Sequence, residues 1–379
     1  MKRVPLDKYC EKKIDTLQKN YIGVIDYIDI SAVDNEEKRI ISYQTIYSKD
    51  APSRAKQLIK KDDILVSTVR PNLNAVAVIE NETDNLMVAS TGYCVLRCKD
   101  DADVRYMFNF CQSPYFIEDM TTQATGASYP AVSTSIVKSS LIPYYSIEEQ
   151  HEIAKKIDAV SNLIALQKQK LSKLDELVKS RFIELFGDLK SNPHNWQYKN
   201  LLDVADIDTV MVCDYEKYAD YPHIGIDSIE KNTGRLFGYR TIAEDGVISG
   251  KYLFTARHII YSKIRPNLNK VALPDFDGLC SADAYPILPK ENVCLRIYLG
   301  YVMRSEFFLD YILPFSRRAN MPKVNKEQLS GFNLPVPDIE LQRQFAAFVE
   351  QTDKSKLAVQ KSLDKLETLK KSLMQKFFG

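Results

Sequence analysis

Two long stretches of the chain carry apolar residues at alternating steps of four and three, the spacing of a heptad seam on a long helix. The first runs from Ser146 to about Phe186 and contains no Pro or Gly. The second begins at Asp338 and runs to the end, with Thr352 and Lys356 weakening its middle. The apolar seam positions are Ile153, Ile157, Val160, Ile164, Leu171, Leu174 and Val178 in the first stretch and Phe345, Val359, Leu363, Leu366 and Leu373 in the second.

The ends of these predicted helices carry the residues that helix termini favour. Ser146 and Glu149 have the Ser-x-x-Glu spacing of a capping box, Gly187 is suited to a helix C-terminus, and Asp338 is an N-cap candidate. A helix of about forty residues is about 58 Å long. Because a lone helix would leave its seam in water, we expect the two to pair as an antiparallel coiled coil, which relates the two halves of the chain by an approximate two-fold axis. The alternative is that each helix packs only on its own domain.

The remainder of the chain mixes short strand-like and helical patterns. Apolar β-branched runs occur at 64–69 and 259–264, and a turn is predicted at 232–234. Helical spacing is found from Val104 to Cys111 and from Leu295 to Tyr311. These patterns therefore predict mixed α/β domains, and for the whole chain we predict an α+β fold.

The chain also repeats itself. The segment 70–74, Arg-Pro-Asn-Leu-Asn, recurs at 265–269, a separation of 195 residues. Further pairs are separated by 192 residues, namely Tyr93 and Tyr285, Pro130 and Pro322, Pro143 and Pro335, Gln150 and Gln342, and Gly187 and Gly379. A unit of about 190 residues is too long for a solenoid repeat and indicates a duplicated domain plus connector. We predict domains at 1–145 and 191–337 and helices at 146–190 and 338–379.

Composition limits the function classes. The 379 residues suffice for two or three domains, and the net charge of +1 shows no basic or acidic tail. No signal peptide or membrane span is predicted, so we expect a cytoplasmic protein. The seven cysteines form no CxxC pair, and we expect buried, reduced thiols without a metal site.

No motif predicts catalysis. The segment 246–251 resembles a phosphate loop but has three residues between its glycines and Tyr252 where Ser or Thr would bind Mg²⁺. Asp7, Glu11 and Lys13 have the residue types of a nuclease site but fit a solvated helix face better. The four histidines lack metal-ligand spacing. We therefore expect a non-catalytic chain without its own cofactor or metal; an enzyme whose site forms only across chains is the alternative.

Positive charge is concentrated at the same place in both copies. Residues 231–270 have a surplus of six positive charges and residues 38–70 a surplus of five. Such groups can neutralise phosphates, and neighbouring amides can bind base edges. The alternatives are a solvated charged face and, for the Arg-Pro-Asn-Leu-Asn pair, a structural turn. The DNA-binding candidates are Lys56, Lys60, Arg70, Asn72, Asn74, Ser128, Arg257, Lys263, Arg265, Asn267, Asn269, Lys270, Arg317, Arg318, Asn320 and Lys323.

Two domains, each followed by a long helix, resemble the specificity subunit of type I restriction-modification systems. The resemblance covers the whole chain, and its most specific motif is 334–343, Leu-Pro-Val-Pro-Asp-Ile-Glu-Leu-Gln-Arg, at the entry to the second helix. A weaker version occupies 142–150, where Tyr144-Tyr145 replaces the second proline of the family's Pro-x-Pro entry to the helix. Segments 321–325 and 264–268 are also similar to the family.

The resemblance implies a function as well as a fold. Two target-recognition domains with curved sheets would each bind half of a split, asymmetric sequence in double-stranded DNA. The paired helices would set the spacing and dock two methyltransferase subunits, which bind S-adenosylmethionine and modify adenine. Two restriction subunits, using ATP and Mg²⁺, would join for cleavage. The runner-up is a coiled-coil adaptor that bridges protein partners without base-specific contacts.

Overall fold

The structure, a computed structural model, describes residues 2–316 and 322–379. The chain divides into two compact units. The first contains Met1–Gln169 and Val359–Gly379, and the second contains Lys170–Ala358. Each unit thus includes part of both long helices as well as one of the two mixed regions.

The described strands of the first unit are short and mostly buried. They are β1 (Arg3–Pro5), β2 (Val24–Ile28), β3 (Val33–Asp34), β4 (Arg39–Ile40), β5 (Gln44–Tyr47), β6 (Ala55–Leu58), β7 (Ile64–Ser67), β8 (Val76–Val78), β9 (Leu86–Ser90), β10 (Tyr93–Leu96) and β11 (Leu141–Pro143). One sheet has the order β5-β2-β9-β6, with β2 and β9 parallel. A second, antiparallel sheet has the order β10-β7-β8, and β1 pairs with β11.

The second unit repeats this topology, with one more strand in each of its two larger sheets. Its strands are β12 (Tyr198–Asn200), β13 (Ala205–Ile207), β14 (Met211–Val212), β15 (Pro222–Ile224), β16 (Arg240–Thr241), β17 (Lys251–Phe254), β18 (Ile259–Ser262), β19 (Val271–Ala272), β20 (Gly278–Ser281), β21 (Ala284–Pro289) and β22 (Asn333–Pro335). The order β14-β17-β20-β15-β16 again contains one parallel pair, β15 with β20. The order β13-β21-β18-β19 is antiparallel, and β12 pairs with β22.

Helices cover the sheets of each unit. They are α1 (Val104–Cys111), α2 (Pro114–Gln123), α3 (Thr134–Ser139), α4 (Ile147–Phe186), α5 (Leu201–Val204), α6 (Ile242–Asp245), α7 (Arg296–Arg304), α8 (Glu306–Ile312), α9 (Lys326–Ser330) and α10 (Ile339–Phe378). The expectation of one helix from Leu295 to Tyr311 is wrong. The helix ends before Ser305, whose hydroxyl accepts from the backbone N–H of Phe308 and begins a new helix.

The predicted long helices are present as α4 and α10, forty residues each. The capping box at the start of α4 forms as expected, since the backbone N–H of Glu149 donates to Ser146 Oγ (3.3 Å) and that of Ser146 to Glu149 Oε2 (2.9 Å). Gly187 ends the helix with a φ of +75°. The phosphate-loop-like segment is a turn, with Gly246 at a φ of +58°.

The predicted seam positions are the protected stripe of each long helix. In α4, Ile153, Ile157, Val160 and Val178 are buried, and the other predicted seam residues are half-buried. In the core of the first unit, Ile153 and Ile157 lie with Met374 from the end of α10.

The second unit has the complementary arrangement. Phe345, near the start of α10, contacts Phe182 and Phe186 near the end of α4, with ring centroids 5.3 and 5.5 Å apart. The two phenylalanines lie beside the predicted seam and pack onto the domain. Within each unit, therefore, the start of one long helix lies beside the end of the other.

A buried glutamine attaches each long helix to its unit. Gln150 Oε1 accepts from the backbone N–H of Asp103 (3.0 Å), and Gln342 Oε1 accepts from that of Leu295 (2.8 Å). Their side-chain amides donate to backbone carbonyls, including that of Pro337 for Gln342. Because both side chains are at most 1% exposed, these bonds satisfy groups that water cannot reach.

Candidate nucleic-acid interface

The two Arg-Pro-Asn-Leu-Asn segments fold into the same loop. We name Arg70–Asn74 the first RPNLN loop and Arg265–Asn269 the second. In each, a three-residue 3₁₀ turn, Pro71–Leu73 or Pro266–Leu268, is flanked by residues in the left-handed conformation with φ of +48°. Left-handed backbone is unfavourable for a residue with a Cβ, so its occurrence at both flanks of both loops marks a geometry held by its surroundings.

The first residue of each loop is anchored through its backbone and exposes its side chain. The N–H of Arg70 donates to the carbonyl of Pro130 (2.7 Å), and that of Arg265 donates to the carbonyl of Pro322 (2.8 Å). The Arg70 guanidinium lies over the exposed ring of Tyr129, 5.1 Å from its centroid. Tyr129, which the sequence did not indicate, therefore orients a predicted DNA-binding arginine.

The two asparagines of each loop have different surroundings. Asn72 and Asn267, in the middle of the turns, are exposed. Asn74 and Asn269, at the ends, are only 7% and 5% exposed. Their side-chain amides donate to the backbone carbonyls of Cys111 and Arg304 respectively, both at 2.8 Å.

The inclusion of Asn74 and Asn269 among the DNA-binding candidates therefore needs correction. Each is buried and uses its amide to fasten the loop to the end of a helix, which leaves no free amide edge for a base. The structural interpretation of the RPNLN motif therefore applies to the second asparagine, whereas DNA contact stays a prediction for the first residue and the first asparagine. The first residue and the first asparagine face solvent, and the second asparagine is structural.

Lys38 reinforces the first RPNLN loop. Its Nζ donates to the carbonyl oxygen of Asn74 (2.6 Å) and to Asn74 Oδ1 (2.9 Å). Burial lowers the pKa of Lys38 to about 8, with a further lowering from Lys370 and an opposing effect from Asp34. In the second loop, Asn269 Oδ1 is buried and has no hydrogen-bond partner among the described residues. Lys38 belongs to the positive stretch 38–70, but its ammonium is used to hold Asn74, which lies 36 residues further along the chain.

Several basic candidates are used inside the second unit. Lys263 is 8% exposed, and the Lys270 Nζ donates to the carbonyl of Ile226 (2.8 Å). Exposed Lys323 and Arg257 form ion pairs, with Asp283 (3.2 Å) and with Glu291 (3.2 Å). The Lys270 ammonium is therefore engaged within the unit, and the Lys263 side chain is largely buried.

The remaining candidates fall into two groups. Lys56, Lys60 and Ser128 are exposed in the first unit. Arg317, Arg318 and Asn320 lie outside the described residues. The strongest exposed set is therefore Arg70 and Asn72 in the first unit and Arg265 and Asn267 in the second.

Metal ligands and thiols are the other chemical groups that the described part of the chain could offer to a site. There, no group of three or more His, Cys, Asp or Glu side chains is arranged to hold a metal ion. All seven cysteines are free thiols, and burial raises the pKa of Cys10 and of Cys94 to about 12. Within residues 2–316 and 322–379, no helix is both long and apolar enough to cross a membrane.

Comparison with known proteins points to a single family. The type I restriction modification DNA specificity domain matches this chain twice, at residues 7–176 and 193–370. The chain is also 37% identical over 198 residues to the specificity subunit of the type I restriction enzyme EcoDI from Escherichia coli. That alignment covers 50% of this chain and 43% of the E. coli protein, so it spans less than half of the relative's length.

Two solved structures have a similar fold over the full chain. One is the S subunit of a type I restriction-modification system from M. genitalium, with a TM-score of 0.61 and 15% identity, covering 100% of this chain and 96% of that one. The other concerns complex assembly and conformational transition of the type I R-M system, with a TM-score of 0.59 and 23% identity, covering 100% and 97%. At these identities the likeness establishes the fold.

Proposed function

Because the chain belongs to the type I restriction modification DNA specificity family, we propose that it is the DNA-recognition subunit of a type I restriction-modification complex. Each repeated half would bind one half of a bipartite, asymmetric sequence in double-stranded DNA. The observation that carries this proposal is the pair of RPNLN loops, which have the same backbone geometry and each expose one arginine and one asparagine.

The exposed side chains suit duplex DNA. Arginine can pair with phosphate oxygens or donate two hydrogen bonds to guanine O6 and N7, and asparagine can form two hydrogen bonds with adenine. Because the loops are anchored at both ends, Arg70 and Asn72 need little ordering on binding, which lowers its entropic cost. The same argument applies to Arg265 and Asn267.

We propose that α4 and α10 pair as an antiparallel coiled coil and set the distance between the two half-sites. The contacts inside each unit support this, since Ile157 lies with Met374 in one core and Phe182 contacts Phe345 in the other. Helices of forty residues are about 60 Å long, enough to span the roughly 34 Å of one DNA turn.

We propose that other subunits perform the chemistry. Two methyltransferase subunits would dock on the helices, bind S-adenosylmethionine and methylate adenine, and up to two restriction subunits would use ATP and Mg²⁺ for cleavage. This chain would contribute sequence recognition and no catalytic group or cofactor. Its near-neutral net charge suits a subunit that binds DNA weakly until its partners add contacts.

Charge reversal at the two loops tests this proposal against the coiled-coil adaptor. Arg70→Glu together with Arg265→Glu should weaken DNA binding by the assembled complex at least 10-fold, since each lost phosphate or base contact costs on the order of 1 kcal/mol and a new repulsion is added. The matched control is Lys19→Glu with Lys217→Glu, at exposed positions, one in each unit, outside both positive stretches and both long helices.

The two functions predict opposite results. A DNA-recognition subunit loses DNA affinity only in the loop variant and still assembles with its protein partners. An adaptor keeps its activity in the loop variant. Unchanged DNA affinity of the loop variant would remove the RPNLN loops from the proposed interface.

A further inference from the structure

Thr68, two residues before the first RPNLN loop, has a hydroxyl that is already engaged. Its backbone N–H donates to the carbonyl of Gly92 (2.9 Å), and its own carbonyl accepts from the N–H of Val132 (2.9 Å). The side-chain Oγ1 donates to the same Gly92 carbonyl (2.8 Å). The side chain therefore turns back onto its own domain and has no proton left to donate.

Lys263 occupies the same backbone position before the second RPNLN loop. Its N–H donates to the carbonyl of Asp283 (3.0 Å), and its carbonyl accepts from the N–H of Val324 (2.8 Å). The two domains thus place chemically different side chains, a short hydroxyl and a long ammonium, at equivalent sites beside equivalent loops. Such a position is suited to make two similar domains recognise different sequences.

The Lys263 ammonium lies between two tyrosines. Its Nζ is 4.9 Å from the ring centroid of Tyr285 and 6.0 Å from that of Tyr252. Burial lowers the pKa of Lys263, Lys323 lowers it further, and Asp283 opposes both. The Asp283 carboxylate is itself paired with Lys323. No described residue accepts a hydrogen bond from the Lys263 Nζ, so the described part of the chain leaves these donors, close to the second RPNLN loop, without an acceptor.

The bases of duplex DNA differ in how well they suit the Lys263 ammonium. An ammonium has three donors and no acceptor, so it prefers a base edge that presents two adjacent acceptors. In the major groove, guanine presents two, O6 and N7, whereas adenine presents N7 beside a donor. Guanine is therefore the base that a lysine at this position favours.

We propose that this position determines base preference, with Lys263 donating to O6 and N7 of a guanine in the half-site of the second domain and Thr68 making no such contact in the first. The inference rests on the proposed function and adds to it the base that is preferred, guanine, and the residue that selects it, Lys263. It also predicts that the two half-sites differ because their domains differ at this position.

The experiment uses the full chain assembled with its methyltransferase subunits and a pool of duplex DNA with randomised sequence. Bound duplexes are recovered and sequenced for the wild type, for Lys263→Met and for Lys263→Gln. Methionine keeps the length and apolar stem without a donor, and glutamine prefers adenine. The matched control is Thr68→Val. Circular dichroism, thermal unfolding and assembly with the methyltransferase subunits establish that each variant is folded.

The expected result is a change at one base of one half-site. Lys263→Met should lower the preference for guanine there by about 10-fold, and Lys263→Gln should move it towards adenine, while Thr68→Val leaves both half-sites unchanged. If Lys263→Met does not fold, two other variants test whether Lys263 selects guanine. Lys263→Gln should move the preference towards adenine, and Lys263→Arg should keep the preference for guanine.

Two results would overturn the inference while leaving the proposed function intact. An unchanged sequence preference in the folded Lys263 variants would exclude base contact. A uniform loss of affinity for all sequences, with a shallower dependence on salt, would show that Lys263 binds a phosphate instead. Failure of the wild type to select any split sequence would count against the proposed function itself.

Discussion

The Nζ of Lys38 donates to both oxygens of Asn74, the backbone carbonyl at 2.6 Å and Oδ1 at 2.9 Å. Asn74 in turn donates to the carbonyl of Cys111. A lysine, the end of the first RPNLN loop and the end of α1 are therefore joined in one buried network. In the second RPNLN loop, Asn269 likewise donates to the carbonyl of Arg304. No described residue, lysine or other, donates to Asn269 Oδ1.

This network predicts a pH dependence of stability. Burial lowers the pKa of Lys38 from its ordinary 10.5 to about 8, so between those values the unfolded chain binds the proton and the folded chain does not. The contribution of Lys38 to the free energy of unfolding therefore rises as the pH increases from about 8 to 10.5. Denaturant unfolding at several pH values should show the wild type gaining stability relative to Lys38→Met across this window. Exposed Lys49→Met is the control, and a pH-independent difference for Lys38→Met would contradict the assignment.

The two asparagines of the first RPNLN loop should separate stability from recognition. Asn74→Ala takes a donor from the Cys111 carbonyl and an acceptor from the Lys38 Nζ, so it should lower the free energy of unfolding by about 1–3 kcal/mol. Asn72→Ala, at an exposed position, should change it by less than about 0.5 kcal/mol. Asn72→Ala should instead reduce discrimination at one base pair by about 1–3 kcal/mol in competition binding. Equal stability loss in both variants would refute this division of roles.

Tyr129 should act on DNA binding through Arg70. Removing the ring with Tyr129→Ala frees the guanidinium, and the lost cation–π contact is worth about 0.5–1 kcal/mol at an exposed site. We expect a 2- to 5-fold loss of DNA affinity, which corresponds to that energy. Tyr129→Phe keeps the ring and should retain wild-type affinity, as measured by fluorescence anisotropy with the assembled complex. A loss in Tyr129→Phe equal to that in Tyr129→Ala would indicate a role for the hydroxyl instead.

The long helices predict a contrast between buried and exposed apolar residues. Phe345 is fully buried against Phe182, Phe186 and Tyr301, so Phe345→Ala should cost about 3–5 kcal/mol. Leu357, on the same helix, is 57% exposed, and Leu357→Ala should change the free energy of unfolding by less than about 0.5 kcal/mol. Urea unfolding followed by circular dichroism measures both. Comparable losses would mean that the protected stripe of α10 has been misidentified.

The sequence predicted the long helices well because their signal is local. The 3.5-residue period places Ile153 and Val178 on one stripe, and both are buried. Phe182 and Phe186 lie beside that stripe and are buried by the second domain, which the period cannot indicate. The break at Ser305 was missed because apolar spacing continues through it, while its hydroxyl caps the following helix.

The candidate site was predicted in outline and not in detail. Repetition identified the RPNLN loops, but the opposite roles of Asn72 and Asn74 depend on a left-handed backbone and on a carbonyl 37 residues away. Lys263 was predicted as a DNA-binding candidate, and the sequence did not indicate its burial, since lysine is mostly exposed. In the fold its Nζ lies 4.9 Å from the ring centroid of Tyr285, because β21, which contains Tyr285, pairs with β18, which ends one residue before Lys263.

The methylation pattern that this chain confers is the most direct test of whether it is a DNA-recognition subunit. The chain and its methyltransferase subunits are expressed in cells without other modification systems, and the genome is sequenced by a method that detects methylated adenine. If the two repeated domains each bind one half-site, a new mark appears on one asymmetric sequence made of two short blocks separated by a gap of fixed length. Methylation of a contiguous palindrome, or no new mark from an assembled complex, would contradict it.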